Sequence, residues 1–211
     1  MSRKEIAPRK RPSQQRSSAT VQAILQATTH ILEHDGYAKL TTNRIAEKAG
    51  VNIASLYQYF PNKEAIIGEL QYRHVKEMRQ ATQEVLSDSA HSDDLLQILP
   101  ALVRAATASH LVNPELHRVL TEEIPLSSRD NPLVNNLESL DLPFETLFVQ
   151  AGFSPAKAKL RVWMMKTLLR EIIHRALIEQ PEALASGELE KELLAVVKAC
   201  VEELSVPASR T

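Results

Sequence analysis

Apolar residues recur at helical spacing along most of the chain. Near the N-terminus one such run predicts a helix over 18–35, because its apolar positions fall on one face. These positions are Val21, Ile24, Leu25, Ile31 and Leu32. The pair Asp35-Gly36 then ends the helix, since glycine adopts the left-handed conformation that commonly follows a helix.

The next segment, residues 41–63, reads TTNRIAEKAGVNIASLYQYFPNK. Thr41 or Thr42 can cap a short helix to about Ala49, and Asn52 can cap a second helix to about Tyr59. Gly50 between them permits a sharp turn. Two short helices joined in this way predict a helix-turn-helix, the arrangement that places its second helix in the major groove of DNA.

The remaining chain is punctuated by helix-start residues, several followed by proline at the first helical position. Asn62 can cap a fourth helix running to about residue 87, and five further helices are predicted near 93–111, 114–124, 132–150, 155–180 and 187–203. Pro100 and Pro143 lie inside two of them and are expected to kink or shorten them. Gly is scarce, with 5 residues, and alternating β-type runs are lacking. The predicted fold class is all-α.

Charge is distributed unevenly although the net charge of the 211 residues is only −1. Residues 1–63 carry ten Lys/Arg against four Asp/Glu, a net of +6, so the rest carries −7. A basic end on an acidic body indicates that one end faces phosphates. Residues 1–17 are basic and polar and predict a disordered arm, which is either a solvated tail or a DNA contact.

Outward-facing side chains of the helix-turn-helix carry groups suited to DNA. Ser55 and Gln58 can hydrogen-bond bases, and Ile53 and Ala54 can contact a thymine methyl group. Thr42, at a helix N-terminus, suits a phosphate, and Lys63 is placed to hold another. Of the nearby aromatic residues, Phe60 is expected in the core, whereas Tyr57 and Tyr59 are expected to pack their rings and turn their hydroxyls outward.

These residues resemble the DNA-binding domain of TetR-family (TetR/AcrR) transcriptional regulators. The similarity covers roughly residues 18–78 and rests on a set of fixed spacings, namely Ile24-Leu25-x-Ala27, Gly36-Tyr37, Thr41-Thr42, Ile45-Ala46, Ala49-Gly50-Val51 and Leu56-Tyr57-x-Tyr59-Phe60-x-Asn62-Lys63. It implies a three-helix DNA-binding domain over 18–78 and a larger helical domain over 79–211 for ligand binding and dimerisation. It also implies a DNA-contact set of Thr42, Asn43, Ile53, Ala54, Ser55, Tyr57, Gln58, Tyr59 and Lys63.

The resemblance further implies a homodimer and a small-molecule effector. A homodimer is also expected because one helix-turn-helix contacts few base pairs. Apolar faces in the last two long helices supply the predicted interface, at Leu168, Ile172, Val196, Val197 and Cys200. A largely apolar effector pocket is predicted from Leu102, His110, Phe144, Phe148, Trp163 and Met164.

The sequence therefore predicts a DNA-binding transcriptional regulator, a homodimeric repressor that a small, largely apolar ligand releases from double-stranded operator DNA. Two alternatives stay open. One is a constitutive DNA-binding protein without an effector, and the other is a helical metal-dependent hydrolase built on His30, Glu33 and His34, which fit an H-x-x-E-H pattern. No enzyme activity, cofactor, metal or membrane partner is expected. The single cysteine, Cys200, favours a reducing cytoplasm.

Overall fold

The computed structural model describes residues 15–88, 94–124 and 144–202, and this part of the chain is built from α-helices and one short 3-10 helix. The helices are α1 (Gln15–Asp35), α2 (Thr42–Ala49), α3 (Ile53–Tyr59), α4 (Lys63–Asp88), α5 (Leu95–Leu111), α6 (Pro114–Glu122), α7 (Phe144–Gln150), α8 (Pro155–Glu179), α9 (Pro181–Ser186) and α10 (Glu188–Glu202). The 3-10 helix is Tyr37–Lys39, between α1 and α2. The predicted all-α fold class is confirmed.

Helix starts follow the local chemistry of the sequence. The Asn62 side chain accepts a hydrogen bond from Ala65 N at 2.8 Å and so caps α4 as predicted. At the start of α5 the cap is Asp94, whose carboxylate accepts from Leu96 N at 3.0 Å. The predicted start of this helix near residue 93 and most of the predicted arm at 1–17 lie outside the described residues, although α1 already begins at Gln15.

Two details of the second half differ from expectation. Pro100 lies inside α5, and the helix nevertheless continues from Leu95 to Leu111. Between the two predicted helices 155–180 and 187–203 the chain forms an additional short helix, α9, which begins at Pro181 and ends before Gly187. Both punctuating residues were visible in the sequence, but six residues are too few for a periodic pattern. Of the predicted helix 132–150, only 144–150 is described, as α7.

The chain divides into two compact units, and the first comprises residues 1–76 and 115–140. Its core is apolar and receives side chains from α1, α2, α3, the first part of α4 and α6. The largest buried members include Ile24, Leu32, Ile45, Leu56 and Phe60. From α6 and its end, Val119, Leu120 and Ile124 join the same core. Residues 115–124, which the sequence placed in the C-terminal domain, therefore pack with the DNA-binding helices.

The second unit comprises residues 77–114 and 141–211. Its core is formed by α5, α7, α8, α9 and α10, with Phe148 and Phe153 in edge-on contact, their ring centroids 5.1 Å apart. The unit boundary falls inside α4, between residues 76 and 77. No single helix in the described part of the chain is long and apolar enough to cross a membrane.

Candidate nucleic-acid interface

The turn between α2 and α3 is held by backbone hydrogen bonds. Gly50 adopts φ 66° and ψ 28°, the left-handed conformation that glycine reaches at low cost. Its N–H donates to Glu47 O at 3.1 Å, and Val51 N donates to Ala46 O at 3.0 Å. This pair of bonds is a Schellman motif, which satisfies carbonyl groups at the end of α2 and reverses the chain. The turn that the sequence predicts at Gly50 is present.

The orientation of α3 is set at both of its ends. Asn52 caps it, its Oδ1 accepting from Ala54 N at 2.8 Å. Leu56 and Phe60 are fully buried in the first core, so the expectation that Phe60 is a core residue is confirmed. Anchoring α3 by these two residues turns its other side outward. We call this outward side, which carries Ala54, Ser55 and Gln58, the reading face.

The predicted DNA-contact residues differ in how exposed they are. Asn43, Ala54, Tyr57 and Gln58 are exposed. Partly buried members of the predicted set are Thr42, Ile53, Ser55, Tyr59 and Lys63. Ile53 and Tyr59 rest against the core, so only part of each side chain remains for a partner. The structure brings all nine residues onto α2, α3 and the first turn of α4, and their contacts with DNA stay a prediction.

A side-chain hydrogen bond links the two helices of the motif across their outer side. Thr42 Oγ1, at the start of α2, lies 3.0 Å from the Tyr57 hydroxyl of α3. Tyr57 is 42% exposed, so its hydroxyl is polar, outward and held in place by Thr42. This agrees with an amphipathic role for Tyr57. The hydrogen bond also couples two residues that the sequence predicted as separate DNA contacts.

Lys63, at the start of α4, has two partners within the protein. Its Nζ donates to Leu40 O at 3.0 Å and lies 4.1 Å from the centroid of the Tyr37 ring. A cation over an aromatic face is attracted by the ring's quadrupole. Lys63 thus ties the start of α4 to the segment between α1 and α2. An ammonium group has three N–H donors, so this arrangement is compatible with a phosphate contact as well.

Arg44 is a cation of the motif that the sequence reasoning missed. Its guanidinium bonds Asp35 at 2.8 Å and the carbonyl of Lys39 at 3.0 Å, joining the end of α1 to α2. The signal in the sequence was weak, since the two partners are nine residues apart and lie in different helices. Arg44 is a brace for α2 whose surface charge also adds to the basic character of the motif.

Glu123, just after α6, is a second residue that the sequence did not single out. Its carboxylate accepts a hydrogen bond from Tyr37 N at 2.8 Å and another from Arg118 at 3.1 Å. A Cβ on Gly36 would lie 2.8 Å from the same carboxylate, which would have to shift, and the φ of 75° at this position favours glycine. Arg118 also bonds Glu115, and this hydrogen bond lowers the pKa of the Glu115 carboxyl group. The ion cluster fixes the end of α6 to the entry of the helix-turn-helix.

The residues predicted for an effector pocket are distributed between the interior and the surface of the second unit. Phe148 and His110 are buried, and Phe144 and Leu102 are half-buried. Trp163 is 63% exposed and Met164 is also exposed, so in the single chain both lie on the surface of α8. The pocket stays a prediction, and the surface positions of these two residues point to a different role.

The residues predicted for the dimer interface are likewise divided. Leu168 and Val196 are exposed, Val197 is buried in the second core, and Ile172 packs against that core. Cys200 is half-buried. On α8 the exposed large apolar residues share one side of the helix. They lie 3, 4, 8 and 18 positions after the first of them, Leu160, and at about 3.6 residues per turn these spacings point to the same side. We call them the α8 stripe, and they are Leu160, Trp163, Met164, Leu168 and Ile178.

Among the described residues, histidine rings contact each other in three pairs. In the first unit, His74 of α4 and His117 of α6 meet edge-on with ring centroids 3.9 Å apart. His30 and His34 are exposed on α1 with stacked rings, their centroids 4.1 Å apart, and His34 Nδ1 lies 2.9 Å from His30 O. In the second unit, burial lowers the pKa of His110. Burial, followed by repulsion from His110, lowers the pKa of His174 to about 4.

Comparison with known proteins agrees with the geometry of the first unit. Residues 24–70 match the family of bacterial regulatory proteins, tetR family. The nucleoid occlusion factor SlmA of Pasteurella multocida (strain Pm70) is 30% identical over 128 residues, and the match spans 56% of this chain and 61% of that protein. SlmA of Aliivibrio fischeri (strain MJ11) is 29% identical over 142 residues, which span 64% of this chain and 69% of that protein.

Solved structures show the same fold over nearly the whole length. The fatty acid degradation regulator FadR from Bacillus halodurans superimposes with a TM-score of 0.67 at 18% identity, covering 93% of this chain and 99% of that one. A TetR-family transcriptional regulator from Syntrophomonas wolfei gives a TM-score of 0.68 at 14% identity, covering 90% and 98%. The matched segment 24–70 lies on the helix-turn-helix described above, so this part of the chain carries the DNA-binding domain of bacterial regulatory proteins of the tetR family.

Proposed function

We propose that the protein is a homodimeric transcriptional regulator that binds palindromic double-stranded DNA through α3 and is released by a small, largely apolar ligand. The observation that carries the DNA-binding part is the anchored α3, whose Leu56 and Phe60 are buried while Ala54 and Gln58 face outward. A helix presented in this way after a tight turn fits the major groove, where base edges are distinguishable.

Dimerisation is supported by the α8 stripe. Exposed large apolar side chains that follow one side of a 25-residue helix mark a surface that associates with another protein. On α10, Val196 is also exposed. We assign Trp163 and Met164, which the sequence predicted as pocket residues, to this proposed interface. Two copies related by a two-fold axis would contact half-sites about 34 Å apart or a multiple of that distance.

Release by a ligand is supported by the length and position of α4. α4 has 26 residues, about 39 Å at the usual rise, and the boundary between the two units falls within it. A ligand that binds the second unit better in one arrangement of the paired α3 helices would shift the population towards that arrangement. We therefore propose α4 as the connecting lever.

The experiment that tests the function is DNA selection with the full-length protein followed by fluorescence anisotropy on the selected site. We expect a palindromic site, two chains per duplex and affinity at least about 1000-fold above random DNA of equal length. A selection that returns no preferred sequence, or one chain per duplex at saturation, would contradict the proposal.

A second candidate keeps DNA binding and omits the ligand. It is favoured by the matching relatives, which are named nucleoid occlusion factors rather than regulators of particular genes. The match covers 61% of the first of these proteins, so their activity is carried over here only as this second proposal. Mapping the protein along the chromosome separates the two candidates. One or a few sites beside genes support the ligand-responsive regulator, and many dispersed sites support the constitutive DNA-binding protein.

A further inference from the structure

Two histidines face each other inside the second unit. His110 is on α5 and is 1% exposed, and His174 is on α8 and is half-buried. Their ring centroids are 5.0 Å apart, and the rings are tilted by 56°. Separate helices thus bring two imidazoles together, one of them almost completely buried.

The His110 ring is oriented by the backbone of its own helix. Its Nδ1 lies 2.7 Å from Ala106 O, one turn earlier, so Nδ1 carries the proton and donates it to this carbonyl. Nε2 is then the ring nitrogen with the lone pair. The same arrangement, with one ring nitrogen donating to a carbonyl and the other acting as ligand, is the usual support for histidines that bind a metal.

The distance between the two imidazoles is close to that of a metal-bound pair. A ligand nitrogen of His110 and one of His174 lie within 4.8 Å of each other. In a tetrahedral zinc site, bonds of about 2.0–2.1 Å place two nitrogens about 3.4 Å apart. Because 4.8 Å is the upper bound of the separation, a shift of about 1.4 Å or less is needed to reach this distance, and a rotation of the half-buried His174 side chain can supply it.

From this geometry we infer that His110 and His174 form a binding site for one divalent transition-metal cation of the Zn²⁺, Co²⁺ or Ni²⁺ type. Neutral imidazole nitrogens suit these ions, whereas Mg²⁺ and Ca²⁺ prefer oxygen ligands. Two protein ligands leave coordination positions for water or a small anionic molecule. The inference concerns the second unit alone and does not rest on the proposed DNA binding.

The test is a Co²⁺ titration of the full-length, tag-free protein after chelator treatment and dialysis, followed by absorption spectroscopy and then by Zn²⁺ competition. We expect one Co²⁺ per chain with ligand-field bands in the visible range. His174→Gln should weaken binding about tenfold or more. The variant His174→Cys keeps a metal ligand at this position and should retain binding, which separates loss of a ligand from loss of the fold.

The exposed pair on α1 provides the matched control, since His30 and His34 lie one turn apart on the same helix and could chelate a metal on their own. The double variant His30→Gln/His34→Gln should bind Co²⁺ as the unaltered protein does. Zn²⁺ should also raise the melting temperature of the unaltered protein but not that of His174→Gln. The inference is overturned if the unaltered protein binds no Co²⁺ at millimolar concentration, if His174→Gln binds normally, or if binding disappears in the α1 double variant.

Discussion

The two units differ in where they leave their large apolar side chains. In the described part of the first unit, Tyr57 is the single exposed large hydrophobic residue, and its hydroxyl is hydrogen-bonded to Thr42. Among the described residues of the second unit nine such residues are exposed, five of them on the α8 stripe. The described part of the first unit thus buries nearly all of its large apolar side chains and directs polar groups outward. The second unit leaves an apolar surface open, which is what an unpartnered half of an oligomer presents.

The difference between the two units predicts that a charged side chain on the α8 stripe prevents dimerisation without unfolding the chain. In Leu168→Glu the carboxylate would be buried without a partner at the proposed interface, which costs about 3 kcal/mol or more. We therefore expect the dimer dissociation constant to rise about 100-fold or more, measured by analytical ultracentrifugation.

A matched control lies on the same helix. Lys159→Glu introduces the same side chain at an exposed position of α8 outside the stripe and should leave the dimer intact. Circular dichroism on both variants checks that the chain stays folded. If Lys159→Glu dissociates the dimer as strongly as Leu168→Glu, or if neither variant does, the α8 stripe is not the interface.

On the reading face of the first unit, removing a polar side chain should instead change how well the protein discriminates between DNA sequences. Gln58 is exposed on α3, and its amide can pair with a base edge. Gln58→Ala should reduce discrimination between the selected site and its single-base variants at one position by about tenfold, because one base contact is worth about 1–3 kcal/mol. Competition anisotropy over a set of single-base variants measures this loss.

Asn43 is the appropriate comparison for Gln58, because it is exposed near the start of α2 rather than on the reading face of α3. Asn43→Ala should affect a different position of the site or a phosphate contact. Equal losses for Gln58→Ala on specific and random DNA would show that Gln58 does not read a base.

The sequence predicted the first unit more completely than the second, and the reason is local. Gly50, Asn52 and Asn62 each act on neighbouring backbone groups, so their roles can be read from a few adjacent residues. The side-chain hydrogen bonds and ion pairs between distant segments could not be predicted in this way. Arg44 with Asp35 and Glu123 with Tyr37 depend on how separate helices pack.

In the second unit the helices were predictable, but the use of their apolar faces was not. Trp163 and Phe148 are both large aromatic residues on helical segments, and the sequence predicted both as pocket residues. The structure buries Phe148 and exposes Trp163. Helical periodicity identifies apolar positions, but it does not tell whether such a position faces the core of its own chain or another molecule. That distinction requires knowing which helices pack together.

Two glycines, one in each unit, allow the effects of an alanine substitution on stability and on DNA binding to be compared at similar backbone strain. Gly50 and Gly187 both have positive φ angles, 66° and 77°, and a Cβ on either would meet nothing within 4 Å. Alanine at each position should therefore cost a similar amount, about 1 kcal/mol of unfolding free energy, through the left-handed backbone alone. Urea unfolding measures this cost.

DNA affinity should separate the two alanine variants. Gly50→Ala strains the turn that sets the angle between α2 and α3, so we expect about fivefold weaker binding to the selected site. Gly187 lies between α9 and α10, far along the chain from the motif, and Gly187→Ala should bind normally. If both variants bind DNA equally well, the geometry of the Gly50 turn does not limit recognition.

The smallest expected effect concerns Lys63, whose side chain makes contacts within the first unit and is also predicted to bind a DNA phosphate. Lys63→Ala should weaken binding to specific and random DNA alike by a few-fold and reduce the slope of log affinity against log salt concentration by about 0.9, the value for one lost phosphate contact. The Nζ–Leu40 carbonyl bond and the Tyr37 contact predict a loss of stability in the same variant. Reduced stability with an unchanged salt slope would assign Lys63 to the brace alone, and the first unit would then bind phosphate through residues such as Thr42 and Tyr57, whose polar groups face outward.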